Sequence, residues 1–177
     1  NLPPLGMNDD NQLYSQDSRY SLADAQALRK QLILSVIKEY RPHALLIELF
    51  PFGRKKFAGE LIPLLKAAHR QTPSPAKVFC SVRDIMVNAR KDQLRHDNRA
   101  RWLIDRYFDG VLVHSDPQFT MLAESFAPSR PLNKPVHYTG FVAPADKATT
   151  KHSNRQGLLV SVGGGMVGAP LLQLAIQ

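Results

Sequence analysis

The sequence predicts an α/β fold with a doubly wound parallel sheet, on three observations. Short apolar runs alternate with segments of helical periodicity, the connections are brief, and several runs are nearly continuous rather than alternating. A strand apolar on both sides suits a parallel sheet, which helices cover on both faces. Regular β–α alternation, with crossovers of one hand, leaves few other topologies.

Ser21-Leu22-Ala23-Asp24 has capping-box spacing, a carboxylate three residues after an N-cap hydroxyl. Behind it Ala25, Leu28, Leu32, Val36 and Tyr40 recur at helical spacing, and Pro42 ends the helix. The run His43–Phe50 follows as a short strand. Phe57, Leu61, Leu64, Leu65 and Ala68 mark a helix from about Arg54 to Arg70, which Pro63 should kink or split. After the turn Gln71–Pro75 comes a second strand, Lys77–Val82, and then a helix from Asp92 to Tyr107. Leu94, Ala100, Leu103, Ile104 and Tyr107 are expected to face inward. Gly110–His114 is the third strand, Pro117–Phe126 a short helix, and Val136–Val142 the fourth strand.

Residues 143–156 are polar and aperiodic and read as a linker. The run Leu158–Val162 then starts a new strand, followed by Gly163-Gly164-Gly165-Met166-Val167-Gly168 and the beginning of a helix at Ala169-Pro170. Strand, glycine turn and helix N-terminus together present free backbone N–H groups to a phosphate. This loop is neither a P-loop, lacking G-K-[ST], nor a full dinucleotide fingerprint. What remains is a generic diphosphate cradle, with tight strand–helix packing alone as the alternative explanation of its glycines. The reading is residues 1–142 as most of one domain, 143–156 as linker and 157–177 as the start of a second. With no initiator Met and a glycine loop so near Gln177, we expect a piece of a larger protein.

Composition narrows the class. No apolar run among the 177 residues approaches the roughly 18 needed to span a bilayer, and the first residues lack the charged and apolar regions of a signal peptide. Cys80 is the only cysteine, which excludes an intrachain disulfide and suits a reducing cytoplasm. Set in an apolar run, it reads as a buried small hydrophobe rather than a nucleophile. The net charge of +8 and a pI near 9.8 call for an anionic partner. Arg90, Lys91, Arg95, Arg99, Arg101 and Arg106 carry much of that charge. A solvated helix face accounts for them most simply, attraction to a membrane surface next. No nucleic acid is expected, because no recognition helix, zinc finger or RNP-like run is present.

In open α/β sheets ligands bind beyond the carboxyl ends of the strands. Here the first strand ends at Glu48, the second at Ser81, Arg83 and Asp84, the third at His114, Ser115 and Asp116, and the fourth at Tyr138, Thr139 and Gly140. Four neighbouring strands thus deliver polar groups to one edge. Glu48 is the most unusual, since an unpaired carboxylate in an apolar strand would cost several kcal/mol if buried. Each residue also has a structural reading. Asp84 and Asp116 suit helix caps, His114 a hydrogen-bonded structural role, and Arg83 a pair with Glu48 or Asp84.

The runs Ile47–Arg54, Cys80–Ile85, Tyr107–His114, Tyr138–Val142 and Ser161–Gly165 resemble a group of bacterial predicted glycosyltransferases. These are similar to family 28, which includes the N-acetylglucosaminyl transferase of peptidoglycan lipid intermediates. The resemblance implies the GT-B architecture, two Rossmann-like domains facing across a cleft. It also implies transfer of a hexosyl group from a nucleotide-sugar, UDP-linked, to an acceptor hydroxyl, with inversion and without a metal or cofactor. Gly163, Gly164, Gly165 and the N–H groups of Met166 and Val167 would face the donor diphosphate. Glu48, Arg83, Asp84 and His114 would line the acceptor side, with Glu48, Asp84 and His114 the candidates for catalysis. The acceptor would be a lipid-linked or other glycan, and the place of action cytoplasmic, or peripheral to the inner membrane. A sugar-nucleotide epimerase or hydrolase of the same architecture, or a non-catalytic sugar- or nucleotide-binding module, are the alternatives. The family's first strand with its glycine- and histidine-containing loop, and most of its second domain, have no counterpart here. The 177 residues alone are therefore expected to be inactive and to bind UDP-sugars negligibly.

Overall fold

A computed structural model describes residues 1–8, 10–83, 90–142, 160 and 169–176. The chain divides into two compact units, residues 1–142 and 143–177. In the first, a hairpin of β1 (Leu5–Met7) and β2 (Leu13–Ser15) precedes α1 (Leu22–Tyr40), β3 (Ala44–Glu48) and a 3-10 turn at Lys55–Phe57. Then come α2 (Ala58–His69), β4 (Lys77–Val82), α3 (Gln93–Tyr107), β5 (Gly110–Val113), a second 3-10 turn at Leu122–Glu124 and β6 (Val136–Tyr138). In the second unit α4 spans Ala169–Ile176 and leaves Leu171, Leu172, Leu174 and Ile176 exposed. The candidate strand Leu158–Val162 and the glycine loop Gly163, Gly164, Gly165, Met166 and Val167 lie outside the described residues, apart from Val160.

β3, β4, β5 and β6 form a four-stranded, all-parallel sheet in that consecutive order. The predicted α/β class with a parallel sheet flanked by helices is therefore present. Crossovers of one hand in consecutive order leave α2 and α3 on the same side. Their inward residues Leu65, Ala68, Ala100 and Ile104 share one core with Val78, Cys80, Val82 and Val111. The order of these four strands does not reverse, so any reversal of a doubly wound sheet lies outside them.

The other face follows from the period-two geometry of strands. Ala44, Leu46, Phe79, Leu112 and His137 point there, and Leu46 is 59% exposed. The expectation that the first strand is covered on both faces thus fails among the described residues, because both crossover helices go to one side. This open face carries the candidate site at its carboxyl edge.

Local sequence explains most boundaries. Ser21 Oγ accepts from the Asp24 N–H at 3.2 Å and caps α1 as its spacing predicted. Arg41 closes α1 in the left-handed conformation, just before Pro42. α2 runs unbroken past Pro63, giving up only the bond that a residue-63 N–H would make to Gly59. The expected kink or split is not seen.

Two helix faces differ from the periodicity reading. On α1 the inward row is Ala25, Arg29, Ile33 and Ile37, while Val36 and Tyr40 are exposed. The apolar spacing misled because Arg29 belongs to the inward row, where it makes a bidentate pair with Glu60 of α2 at 2.7 and 2.9 Å. On α3 Leu94 is 56% exposed. It sits about a third of a turn from the stripe Ala100, Leu103, Ile104 and Tyr107, at 100° per residue.

The connection from β5 to β6 carries no long helix; the expected helix at Pro117–Phe126 is a turn plus the three-residue 3-10 element. α3 holds this connection instead. Asp97, buried, accepts from the Ala127 N–H, and Asp105 accepts from the Asn133 N–H. Of the expected basic face, Lys91, Arg95, Arg99 and Arg106 are exposed, while Arg90 is half-buried and Arg101 pairs with Asp105 at 2.8 Å. Cys80 is fully buried among apolar neighbours, and that burial pushes its thiol up from the ordinary range.

Candidate functional site

Register aligns the four carboxyl ends. Glu48 is the parallel neighbour of Ser81, and Val82 of Val113, with Val113 beside Tyr138. Alternation therefore puts Glu48, Ser81, Arg83, His114 and Thr139 on the open face, in neighbouring strands. These expected site residues are brought together. Asp84 lies outside the described residues.

Two separate networks form there. In the first, the Glu48 carboxylate is 3.0 Å from an Arg83 guanidinium nitrogen and 3.3 Å from one of Arg54. The side chain of Glu48 is 45% exposed. The buried, unpaired carboxylate contemplated from sequence is thus an accessible one with two arginine partners, and no large desolvation cost applies. With both oxygens engaged by guanidinium groups, Glu48 acts as an electrostatic anchor for the arginines. Arg54 had not been singled out as a candidate.

The second network is a chain. Ser81 Oγ lies 2.8 Å from His114 Nε2, and His114 Nδ1 lies 2.7 Å from Thr139 Oγ1. Thr139 Oγ1 in turn donates to the Gly140 carbonyl at 3.0 Å. A hydroxyl has one proton, so Thr139 accepts from His114 Nδ1–H. Assigned this way, Nε2 is unprotonated and takes the Ser81 hydroxyl proton as a hydrogen bond. The chain has the order of a hydroxyl, its base and the group that orients the base. Ser81 and Thr139 were legible as strand-end residues, but their bonding through His114 needs the register.

The backbone around β3 keeps this edge in place. Leu49 has φ 62° and Arg54 φ 55°, both left-handed and both non-glycine. Such residues cost of order 1 kcal/mol or more each and persist where surroundings fix them. Here Phe50 and Phe52, 1% and 2% exposed, anchor the loop, with Phe52 edge-on to Phe126 at 4.8 Å. The Leu49 N–H bonds the Ser81 carbonyl at 2.8 Å, so the turn begins only after Glu48 has been presented.

Beside His114 is a cavity of about 190 Å³ between Arg83, His114, Thr120, Met121 and Phe141. It is smaller than the roughly 300–1,000 Å³ of drug-sized sites and suits one ring or a short group. Phe119 and Phe141 stand at its mouth, ring centroids 6.0 Å apart and 74% and 67% exposed. Among the described residues no three His, Cys, Asp or Glu side chains are placed to share a metal ion. None of the described helices is long and apolar enough to cross a membrane.

Comparison with known proteins finds no matching family model, no matching curated protein and no matching solved structure.

Proposed function

We propose that this chain supplies the acceptor side of a glycosyltransferase related to family 28. The reaction moves a hexosyl group from a nucleotide-sugar, UDP-linked, to an acceptor hydroxyl. The wider architecture in this reading is GT-B, with residues 1–142 forming a Rossmann-like domain of a doubly wound type. The glycine loop Gly163–Gly165 and the N–H groups of Met166 and Val167 are assigned to the donor diphosphate. The acceptor is a glycan, lipid-linked or free, and action is cytoplasmic or at the inner membrane surface.

One observation carries the reading. The resembling runs in residues 1–142 carry Glu48, Ser81, Arg83, His114 and Thr139 at the carboxyl edge of the sheet, where Ser81, His114 and Thr139 form a base-like chain. In the proposed mechanism the acceptor O–H loses its proton through Ser81 to His114 Nε2, with Thr139 holding Nδ1. The acceptor oxygen attacks the anomeric carbon as the bond to the diphosphate oxygen breaks. The leaving nucleoside diphosphate takes that electron pair, and loop amides would stabilise its charge. Glu48 keeps Arg54 and Arg83 directed at the acceptor side.

The test is product analysis of the full-length gene product with a labelled UDP-hexose and glycan acceptors. Label transferred to acceptor is expected; an epimer or free sugar would favour the epimerase or hydrolase alternative, and no product a binding module. His114→Ala should lower kcat by about 10²–10⁴-fold, the range for a general base. Undiminished turnover in that variant would remove His114 from the mechanism.

A further inference from the structure

A second pocket, of about 340 Å³, is lined by the strained turn after β3. Its wall includes Arg54, Lys55, Lys56, Arg90 and His96, with Asn11 from the hairpin. The charges there are poorly balanced. Arg54 shares Glu48 with Arg83, and among the described residues Lys56 Nζ bonds only neutral groups, Asn11 Oδ1 at 2.9 Å and Met7 Sδ at 3.4 Å. Lys55 and Arg90 have no acidic partner among the described residues. Arg90 lines the pocket from a half-buried position, and among the described residues its Nε donates to nothing. Guanidinium groups match phosphate oxygens, since several N–H donors can be satisfied at once.

We propose that this pocket binds a phosphate group, with Arg90 and Lys55 as its principal partners and Arg54 and Lys56 flanking. The volume exceeds what one phosphate fills, so a phosphomonoester or a diphosphate also fits. Its principal partners, Arg90 and Lys55, lie outside both the Ser81–His114–Thr139 chain and the Glu48 cluster, and only Arg54 is shared with the latter.

The experiment is calorimetric titration of the chain at constant ionic strength with inorganic phosphate, pyrophosphate and a sugar phosphomonoester. Chloride serves as the anion control. Saturable binding below about 10 mM for at least one phosphate compound is expected. The tightest of the three distinguishes a free phosphate from one carried on a larger molecule. Arg90→Gln should weaken that binding at least about tenfold, a loss near 1.4 kcal/mol, while the neighbouring exposed Lys91→Gln leaves it unchanged. Circular dichroism melts of both variants establish that each is folded. Should Arg90→Gln unfold the chain, Lys55→Gln, at an exposed position, is read the same way. Absence of saturable binding, or equal weakening by Lys91→Gln, overturns the proposal.

Discussion

The two faces of the β3–β6 sheet belong to the same strands yet do different work. On one, Val78, Cys80, Val82 and Val111 are essentially sealed beneath α2 and α3. On the other, Leu46 and His137 stand exposed, and the carboxyl edge carries Glu48, Ser81, Arg83, His114 and Thr139. Burial of apolar area, at about 25 cal/mol per Å², stabilises the first face. The second contributes little packing and is free to hold polar groups in fixed geometry. Stability and chemistry are thus divided by the pleat rather than by region of the chain.

The sharpest contrast is expected from truncation beneath the helices. Ile104 is fully buried in the shared core. Ile104→Ala should cost about 4 kcal/mol through lost transfer energy and the cavity left behind. Urea unfolding measures it; a loss below about 1 kcal/mol would mean that this face is not the structural one.

Next in size is the ion pair that locks α1 onto α2. Arg29 and Glu60 are 14% and 8% exposed in their side chains, and Arg29 also donates to the Pro3 carbonyl. Arg29→Ala leaves the Glu60 carboxylate buried without its cation and should destabilise by about 3 kcal/mol. The double variant with Glu60→Leu should recover a large part of that loss. Additive costs instead would show that packing by the Arg29 stem, not the charge, matters.

A smaller effect is expected at Asp109, at the amino edge of the sheet. Partial burial pushes its carboxyl up, but the Val78 N–H at 2.8 Å and Lys77 at 3.0 Å outweigh that, and the net direction is down. A lowered folded-state value means the contribution is complete above the unfolded carboxylate value, about 3.9. It is lost as pH falls through the lower folded one. Asp109→Asn should therefore cost about 1 kcal/mol at neutral pH and nothing once Asp109 is protonated in both the folded and the unfolded chain. A cost unchanged down to pH 2 would assign it to geometry rather than charge.

These contrasts also mark what was readable in the sequence. β3, β4 and β5 were legible because continuous apolar runs leave little choice of period, and their polar ends followed from the strand-end rule. The face of α1 was misread because its inward row contains Arg29, whose charge removes it from any apolar count. The β1–β2 hairpin went unseen, although Asn8 and Asn11 lie between Met7 and Leu13 as turn residues do. Ser81–His114–Thr139 bonding depends on β4, β5 and β6 being consecutive neighbours, which no local pattern states. Arg90 reads in sequence as part of a solvated basic face, but it is half-buried and lines a pocket with the hairpin and the turn after β3.

The smallest effect is the most discriminating. Leu46 lies in the middle of β3, flanked by Leu45 and Ile47, and a burial reading from hydropathy alone would rank it with Val78. The pleat turns it to the open face at 59% exposure, on a strand paired only with β4 among the described residues. Leu46→Gln should then change stability by no more than about 0.5 kcal/mol, as surface substitutions do. Val78→Ala, one strand away on the sealed face, should cost about 2 kcal/mol or more. If Leu46→Gln costs as much as Val78→Ala, the open face is covered in solution, and the strand-end cluster would be approached from the edge alone. If it costs nothing, a ligand can reach Ser81 and His114 across the face as well. The pair of substitutions therefore decides from which direction a ligand can reach the strand-end cluster, using stability and no assay of activity.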